Sequence, residues 1–524
     1  MSVGTLTRGA GRRRTGPDAA LARAFGTPAG LAVTGLTVLA ALLRFTRLGH
    51  QGFWFDEANT AQLVHFSPGK MLGQIPKSES TPPLYYCVAW VWARIFGYGE
   101  AGLRSLSALA GVAAVPVAYG CGRKLISPRA GVIAAALTAC SPLLIWYSQE
   151  ARSYSLLVLL TASSLMAFAY VRSDPTPRAV SAWVLAAGLA LATHYYAVLA
   201  VIPEAAWLLA VHRRRRSVQA GVAVVGLCGL ALIPLAISQN GTGNANWIAQ
   251  APIGRRLGPM FGQFVLGFGS PGYAVLEPLA LVLAVLALIL LATRSDPLER
   301  RGGVLAAGIA LAGLVLNLLM IALGIDDLIA RNTLAIWMPA AVAVAGGLAA
   351  RRAQLLGALA AAALCAMGIS AAVAVAVDRN LERPDWRVVV HALGAGVQPL
   401  PAGAEGRAIL VQHYRDLLPL SLYLRRLTFM PRRGADVSEL DVVSFTSPRS
   451  GGFCWWGSAC NLWPSKIQGS YPVPGFHELW RRHALQFTIL RLVAAHPVRL
   501  TPRDVAAVLR TTRLRNDELL LQRG

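Results

Sequence analysis

Asp56 and Glu57 stand side by side just past the first apolar span, in the run Phe53-Trp54-Phe55-Asp56-Glu57-Ala58. Pro82-Pro83-Leu84-Tyr85-Tyr86 follows one short loop later. Water reaches acids at a membrane edge, so the pair is not costly there. Its aromatic company points to chemistry at a membrane face. If a helix begins at Asp56, successive side chains point about 100° apart, and the two carboxylates cannot serve as equivalent partners on one face. A division of labour follows, in which one carboxylate faces the reacting group as a general base and the other orients it or a metal. The plain alternative is a helix N-cap at Asp56.

Three further groups have the chemistry of a polar site. Glu150 and Arg152 lie in Tyr147-Ser148-Gln149-Glu150-Ala151-Arg152-Ser153-Tyr154, where one span ends and the next begins. They either tie that hairpin as an ion pair or face the same cavity as Asp56. Arg331 follows Asp326 and Asp327 and opens another span. A guanidinium there suits a phosphate, which it binds bidentately, and a helix N-terminus adds partial positive charge. Its rival role is an ion pair to Asp326 or Asp327. His194-Tyr195-Tyr196 sits between two short spans, where His194 and Tyr195 are either hydrogen-bonded structure or substrate contacts. Tyr85 is a further substrate-contact candidate in the outer aromatic stretch.

The elements that must position these groups are membrane helices. The 524 residues are 55% hydrophobic and only 14% charged, against about 25% charged in a soluble domain. Apolar spans fall at roughly 28–46, 102–122, 129–147, 153–171, 180–194, 197–211, 218–238, 274–293, 303–323, 333–350 and 354–376. The formal charge of +24 comes in short basic clusters between spans, such as Arg12–Arg14, Arg213–Arg216 and Arg351/Arg352. That distribution argues against nucleic acid and for topology signals. About eleven crossings put every basic cluster in the cytosol and every group named above outside. Residues 83–97 read as an interfacial helix, because counting them as a crossing would invert the later loops.

The expected organisation is a cytosolic basic tail at 1–27, a transmembrane module at 28–377 with an outer loop at 47–101, and a small extracytoplasmic α/β domain at 378–524. In that last domain, apolar strands at 408–411 and 440–443 alternate with helical stretches at 386–393 and 504–509. Of seven cysteines, Cys87, Cys121, Cys140, Cys228 and Cys365 lie singly in apolar stretches as packing residues. Cys454 and Cys460 flank Trp455-Trp456-Gly457 and form a local disulfide candidate outside the cytosol. No His/Cys partner pair stands near them at zinc spacing.

With these residues in place the chain resembles the GT-C glycosyltransferases that use a polyprenyl-phosphate sugar. The likeness is to the bacterial family-39-like branch, related to protein O-mannosyltransferases and lipid A aminoarabinose transferases. It rests on Phe53–Ala58, Thr81–Tyr86, Gly102-Leu103-Arg104, Gln149–Tyr154, Thr193–Tyr196, Ala330–Pro339 and Arg383-Pro384-Asp385-Trp386-Arg387. These stretches keep their order over roughly residues 40–430, whereas the tail after 430 has no counterpart in the pattern.

The resemblance implies an inverting transfer of a sugar, best matched by mannose, from a polyprenyl-phosphate carrier to a hydroxyl acceptor on a glycan, lipid or protein. Asp56 would be the general base, with Glu57 beside it, while Arg331, with Arg152, would hold the lipid phosphate. It leaves a divalent metal open and names no ligands for one. The setting would be a multi-pass protein of a bacterial inner membrane, in contact with membrane lipids and acting on the outer side. An arabinosyltransferase of cell-wall glycan is the nearest rival. A lipid-linked sugar transporter or flippase is a rival of another class, and it would place paired acids or broken helices at the bilayer midplane.

Overall fold

The computed structural model describes residues 27–394, 401–412, 414–445, 471–508 and 518–523. Cys454 and Cys460 lie outside the described residues.

Among the described residues, eight helices are long and apolar enough to cross a membrane, or nine if one bent pair is a single span. The long ones are α1 (Pro28–Phe45), α5 (Glu100–Leu125), α8 (Tyr154–Ser173), α10 (Val198–His212, with a 3-10 turn at Tyr195–Ala197), α11 (Arg216–Asn240), α14 (Tyr273–Thr293), α15 (Pro297–Ala322) and α17 (Gln354–Val377, after a 3-10 turn at Arg351–Ala353). The bent pair is α6 (Pro128–Cys140) and α7 (Pro142–Ser148), which meet at 57°. The helix α9 (Pro177–Thr193), with 17 residues, covers the short span expected at 180–194, whereas α16 (Trp337–Leu348), with 12, is shorter than the expected 333–350. The residues before α16, Ala330–Ile336, wind as a 3-10 helix that carries Arg331 instead of extending a membrane helix.

Outward faces of the bundle are apolar. Leu227, Leu230, Ile233 and Ile237 are all exposed along α11, as expected for side chains that meet lipid tails. Inside, small residues let helices approach closely. A Cβ on Gly122 of α5 would lie 2.7 Å from the Cα of Gly131 in α6, so those two helices touch backbone to backbone. Pro142 at the start of α7 has no N–H to continue the helix. At the break, Arg44 of α1 is fully buried and donates to the Thr138 and Ala139 carbonyls at 2.8 and 2.9 Å. The bend is thereby locked, and it aims α7 and the Gln149–Ser153 turn at the polar site.

Residues 47–101 form a cap of three short helices, α2 (Phe55–His65), α3 (Pro68–Ser78) and α4 (Leu84–Phe96). Phe53, Leu63, Ile75, Tyr85 and Tyr86 are its core. At 13 residues α4 is too short to span. It lies on the cap, with Trp90 Nε1 bonded to Phe66 O and Trp92 Nε1 to Ser105 Oγ. Two short helices, α12 (Ile253–Leu257) and α13 (Met260–Leu266), follow α11.

Among the described residues, the C-terminal domain has a six-stranded mixed sheet, ordered β2-β6-β1-β3-β5-β4. Its strands are β1 (Gly406–Val411), β2 (Leu427–Phe429), β3 (Ala435–Phe445), β4 (His477–Ala484), β5 (Phe487–Leu500) and β6 (Glu518–Arg523). Only β1 and β3 pair in parallel. Alternation puts Ala408, Leu410 and Leu440 in one core and Ile409, Val411 and Val443 in the other. The second core is closed by α18 (Trp386–Leu393) and α19 (Leu417–Tyr423), and the helix α20 (Pro502–Val508) packs on the first. The domain is pinned to the cap. The Tyr423 hydroxyl donates to Glu100 Oε1 at 2.8 Å and accepts from Phe53 N at 2.7 Å, and Asp385 Oδ1 accepts from Gly52 N at 3.0 Å.

Candidate active site

The cap, the membrane helix ends and the C-terminal domain enclose a polar cavity of about 600 Å³. Asp56, in the first turn of α2, lines it. So do Arg152, His194, Asp327 and Arg331. Residues far apart in the chain are thus gathered at one end of the bundle.

Two ion pairs organise the floor. Arg331 Nη1 donates to Asp56 Oδ2 at 2.9 Å, with both side chains mostly buried. The Arg331 guanidinium also lies over the rings of Trp247 and Tyr154, at 5.6 and 5.9 Å. Beside it, Arg152 Nη1 donates to Glu79 Oε1 at 2.9 Å and to the Asp56 carbonyl at 3.3 Å. The expected partners are therefore exchanged: Arg331 pairs with Asp56, and Asp326 takes Arg256 in a two-pronged pair at 2.6 and 2.7 Å. Asp327 accepts from the Tyr196 hydroxyl at 3.1 Å. Burial raises the Asp327 carboxyl above its usual range.

His194 ends α9 and lines the cavity. Its Nδ1 accepts from Tyr196 N at 3.3 Å, which leaves the ring proton on Nε2. Burial, with the charges of Arg331 and Arg152, pushes its pKa down to about 3. His194 is therefore a neutral donor at physiological pH.

Glu57, a catalytic candidate from sequence, does not face the cavity. It is fully buried behind α2, where Arg104 Nε and Nη2 grip its two oxygens at 2.7 and 2.6 Å and Ala151 N donates at 2.8 Å. Arg104 also donates to the carbonyls of Leu48, Gln51 and Gly52. The 100° step from Asp56 sends its neighbour into this clamp. Glu150 also turns away. It takes Arg383 Nη2 at 2.9 Å, and burial raises its pKa to about 7. The Glu150–Arg152 hairpin pair is thus replaced by Glu150–Arg383 and Arg152–Glu79. Tyr85 is fully buried in the cap core, its hydroxyl 3.4 Å from Ser107 Oγ. Tyr195 points its hydroxyl to Gln239 Oε1 at 2.7 Å, and it is Tyr196 that lines the cavity.

The sequence reading missed Glu79, Trp247 and Arg255. The polar cavity leads past Trp247, Ile248 and Arg331 into a small cleft that Arg255, Arg256 and Gln263 also line. The helix α13 carries Gln263 on this cleft and Met260, Phe261 and Phe264 on an apolar groove of about 490 Å³. Ile336, Trp337 and Ala341 form another wall of that groove. Arg255 is exposed and no described carboxylate pairs with it. Only its place in a basic loop could have marked it. The polar chamber, with Asp56 on its wall, therefore opens into an arginine-lined neck, and an apolar groove lies along the same helix α13. Among the described residues, no cluster of three or more His, Cys, Asp or Glu side chains could hold a metal ion. Asp56 and Glu79 are each engaged by an arginine, so the described residues of the cavity do not fit a metal.

Residues 80–238 match the family model described as dolichyl-phosphate-mannose-protein mannosyltransferase. The match covers this segment alone, so the chain carries a stretch similar to that family's. Its fold is that of ArnT from Cupriavidus metallidurans. The structure of ArnT bound to undecaprenyl phosphate has a TM-score of 0.53 and 14% identity, covering 89% of this chain and 98% of that one. The apo state of ArnT has the same TM-score and coverage at 15% identity. The Archaeoglobus fulgidus oligosaccharyltransferase has a TM-score of 0.43 and 15% identity, covering 74% of this chain and 61% of that one. No curated protein sequence matches the chain.

Proposed function

We propose that this glycosyltransferase takes its sugar, mannose in the best reading, from a polyprenyl phosphate and gives it to a hydroxyl acceptor at the outer face of a bacterial inner membrane. The observation that carries this is the Asp56–Arg331 pair, seated where a polar chamber opens into an arginine-lined neck, with an apolar groove along the helix α13 that also lines the neck. The prenyl chain suits the groove, the phosphate suits Arg331 and Arg255, and the sugar suits the chamber. ArnT, which shares the fold, is bound to undecaprenyl phosphate in one of its structures. The outer-face assignment rests on the basic clusters, which fall on the opposite loops.

In this reading the incoming phosphate competes for Arg331 and draws it off Asp56. The freed carboxylate takes the proton of the acceptor hydroxyl as that oxygen attacks the anomeric carbon. The bond from that carbon to the phosphate oxygen breaks, and the electron pair leaves with the phosphate, whose charge Arg331 stabilises. A single displacement inverts the anomeric centre. Arg152 holds Glu79 and the Asp56 carbonyl, and so orients the base. The test is transfer of radiolabelled mannose from polyprenyl-phosphate mannose by membranes carrying the wild type or Asp56→Asn. Equal transfer by the two overturns the assignment. Transfer of arabinose but not mannose from its lipid phosphate replaces the sugar and keeps the mechanism.

A further inference from the structure

The membrane helices do not close the polar cavity by themselves. Arg415, Leu417, Leu418 and Ser421 around α19, and Leu427 and Phe429 of β2, complete its wall. Among the described strands, β2 is an edge of the sheet, with β6 as its one neighbour. Arg523 N bonds to Arg426 O, and Met430 N bonds to Leu519 O. Bonded positions alternate along an antiparallel strand, so Arg426, Thr428 and Met430 turn their main-chain groups toward β6. The N–H and C=O groups of Leu427 and Phe429 then point off the open edge. Among the described residues nothing takes them up. The same two residues put side chains on the cavity, and Phe429 is 47% exposed.

Charge brackets this edge. Arg425 and Arg426 precede β2, Arg432 and Arg433 follow it, and all four are exposed. No described carboxylate is in ion-pairing range of Arg425, Arg432 or Arg433. Short edges flanked by charge commonly serve only to prevent pairing with other copies. That role does not require the edge to form the wall of a reaction cavity with an exposed aromatic over it.

We propose that the acceptor hydroxyl is carried on an extended, acidic polypeptide segment that adds to β2 as a seventh strand. This rests on the transferase reading above and names its acceptor. Main-chain bonds to Leu427 and Phe429 hold the segment, and the flanking arginines select acidic neighbours. Side chains of a strand alternate faces, so every second residue projects over the chamber, where a Ser or Thr approaches Asp56.

The test uses the full chain in lipid nanodiscs, without donor. The probe is a peptide of about twelve residues, long enough at ~3.3 Å per residue to pass both arginine pairs, with one Thr among alternating Glu and Ile. A photoreactive benzoylphenylalanine in place of Phe429 should crosslink to it. Binding should fall about tenfold or more when Glu is replaced by Lys, when Arg425→Glu, Arg432→Glu and Arg433→Glu are combined, and when alternate peptide nitrogens are methylated. An unchanged melting temperature for the triple variant separates lost contact from lost folding. Undiminished binding of the methylated or Lys-containing peptide overturns the proposal, as does binding of an oligoglucuronate but not the peptide. Because no sugar is transferred in this assay, the two readings fail separately. Loss of peptide binding with Asp56-dependent transfer intact refutes the docking edge alone. Peptide binding with no sugar transfer from any lipid donor refutes the transferase reading alone.

Discussion

Arg331 Nη1 and Asp56 Oδ2 are 2.9 Å apart although 275 positions separate the residues in the chain. The pair joins the first turn of α2 to the 3-10 helix that begins at Ala330. In the proposed cycle the two cannot act while they hold each other, since the base must be free and the guanidinium must meet phosphate. Asp56→Asn should therefore separate binding from chemistry. It should lower sugar transfer by about 10²-fold or more, the usual worth of a general base. It should also tighten the binding of polyprenyl phosphate several-fold, because Arg331 is released. Scintillation binding and single-turnover transfer on the same preparation check both halves. Weaker lipid binding by Asp56→Asn would contradict the exchange.

Arg255 lines the neck with Arg331 and Arg256, and unlike them it is exposed. Solvent weakens its contribution. Arg255→Ala should raise the KM for the lipid donor roughly three- to tenfold and leave kcat near the wild-type value. Steady-state kinetics over a donor series reads the split. A fall in kcat with KM unchanged would move Arg255 out of the binding neck.

Much of this arrangement was legible in the sequence because it follows from hydropathy. The long spans, the short helix α4 and the strands at Ala408–Val411 and Leu440–Val443 all came from runs of apolar residues. The shared face of Asp56, Arg152, His194 and Arg331 came from the placement of basic clusters. What did not come through was pairing. Arg331 has Asp326 and Asp327 as near neighbours in sequence, yet it bonds to Asp56, while Arg256 takes Asp326. Glu150 passes over Arg152 for Arg383. Such choices depend on how helix ends meet in space, which local spacing does not encode. The length of α16 was misjudged for a related reason. The residues before it are apolar enough for a helix, but they wind tighter where Arg331 and Asn332 serve the site.

The Glu57–Arg104 clamp carries a prediction about folding. Both side chains are buried and in ion-pair contact, and Arg104 spends its remaining donors on three carbonyls of the loop that leads to Asp56. Removing one member of such a pair leaves the other charge buried and uncompensated, at a cost of about 3–5 kcal/mol. Glu57→Gln should lower the melting temperature of the detergent-solubilised protein. Arg104→Lys, which keeps the charge but loses the fork, should do so by less. Glu57→Gln with wild-type stability and no transfer would instead make Glu57 part of the chemistry.

His194 gives the site a dependence on pH. Its folded pKa of about 3 lies below the ordinary value of 6.5, held down by burial and then by Arg331 and Arg152. Between those values the unfolded chain binds a proton that the folded chain refuses. Stability therefore rises with pH through this window and is lost as pH falls from about 6.5 toward 3. At pH 5 the loss from this one residue is about 2 kcal/mol. His194→Gln keeps a donor in the cavity and has no proton to gain. The variant should lose less melting temperature than the wild type between pH 7 and pH 5, with little difference between the two proteins at pH 7 beyond a constant offset. Parallel melting curves for the two across that range would mean that His194 is not held neutral by its burial and the arginines of the chamber.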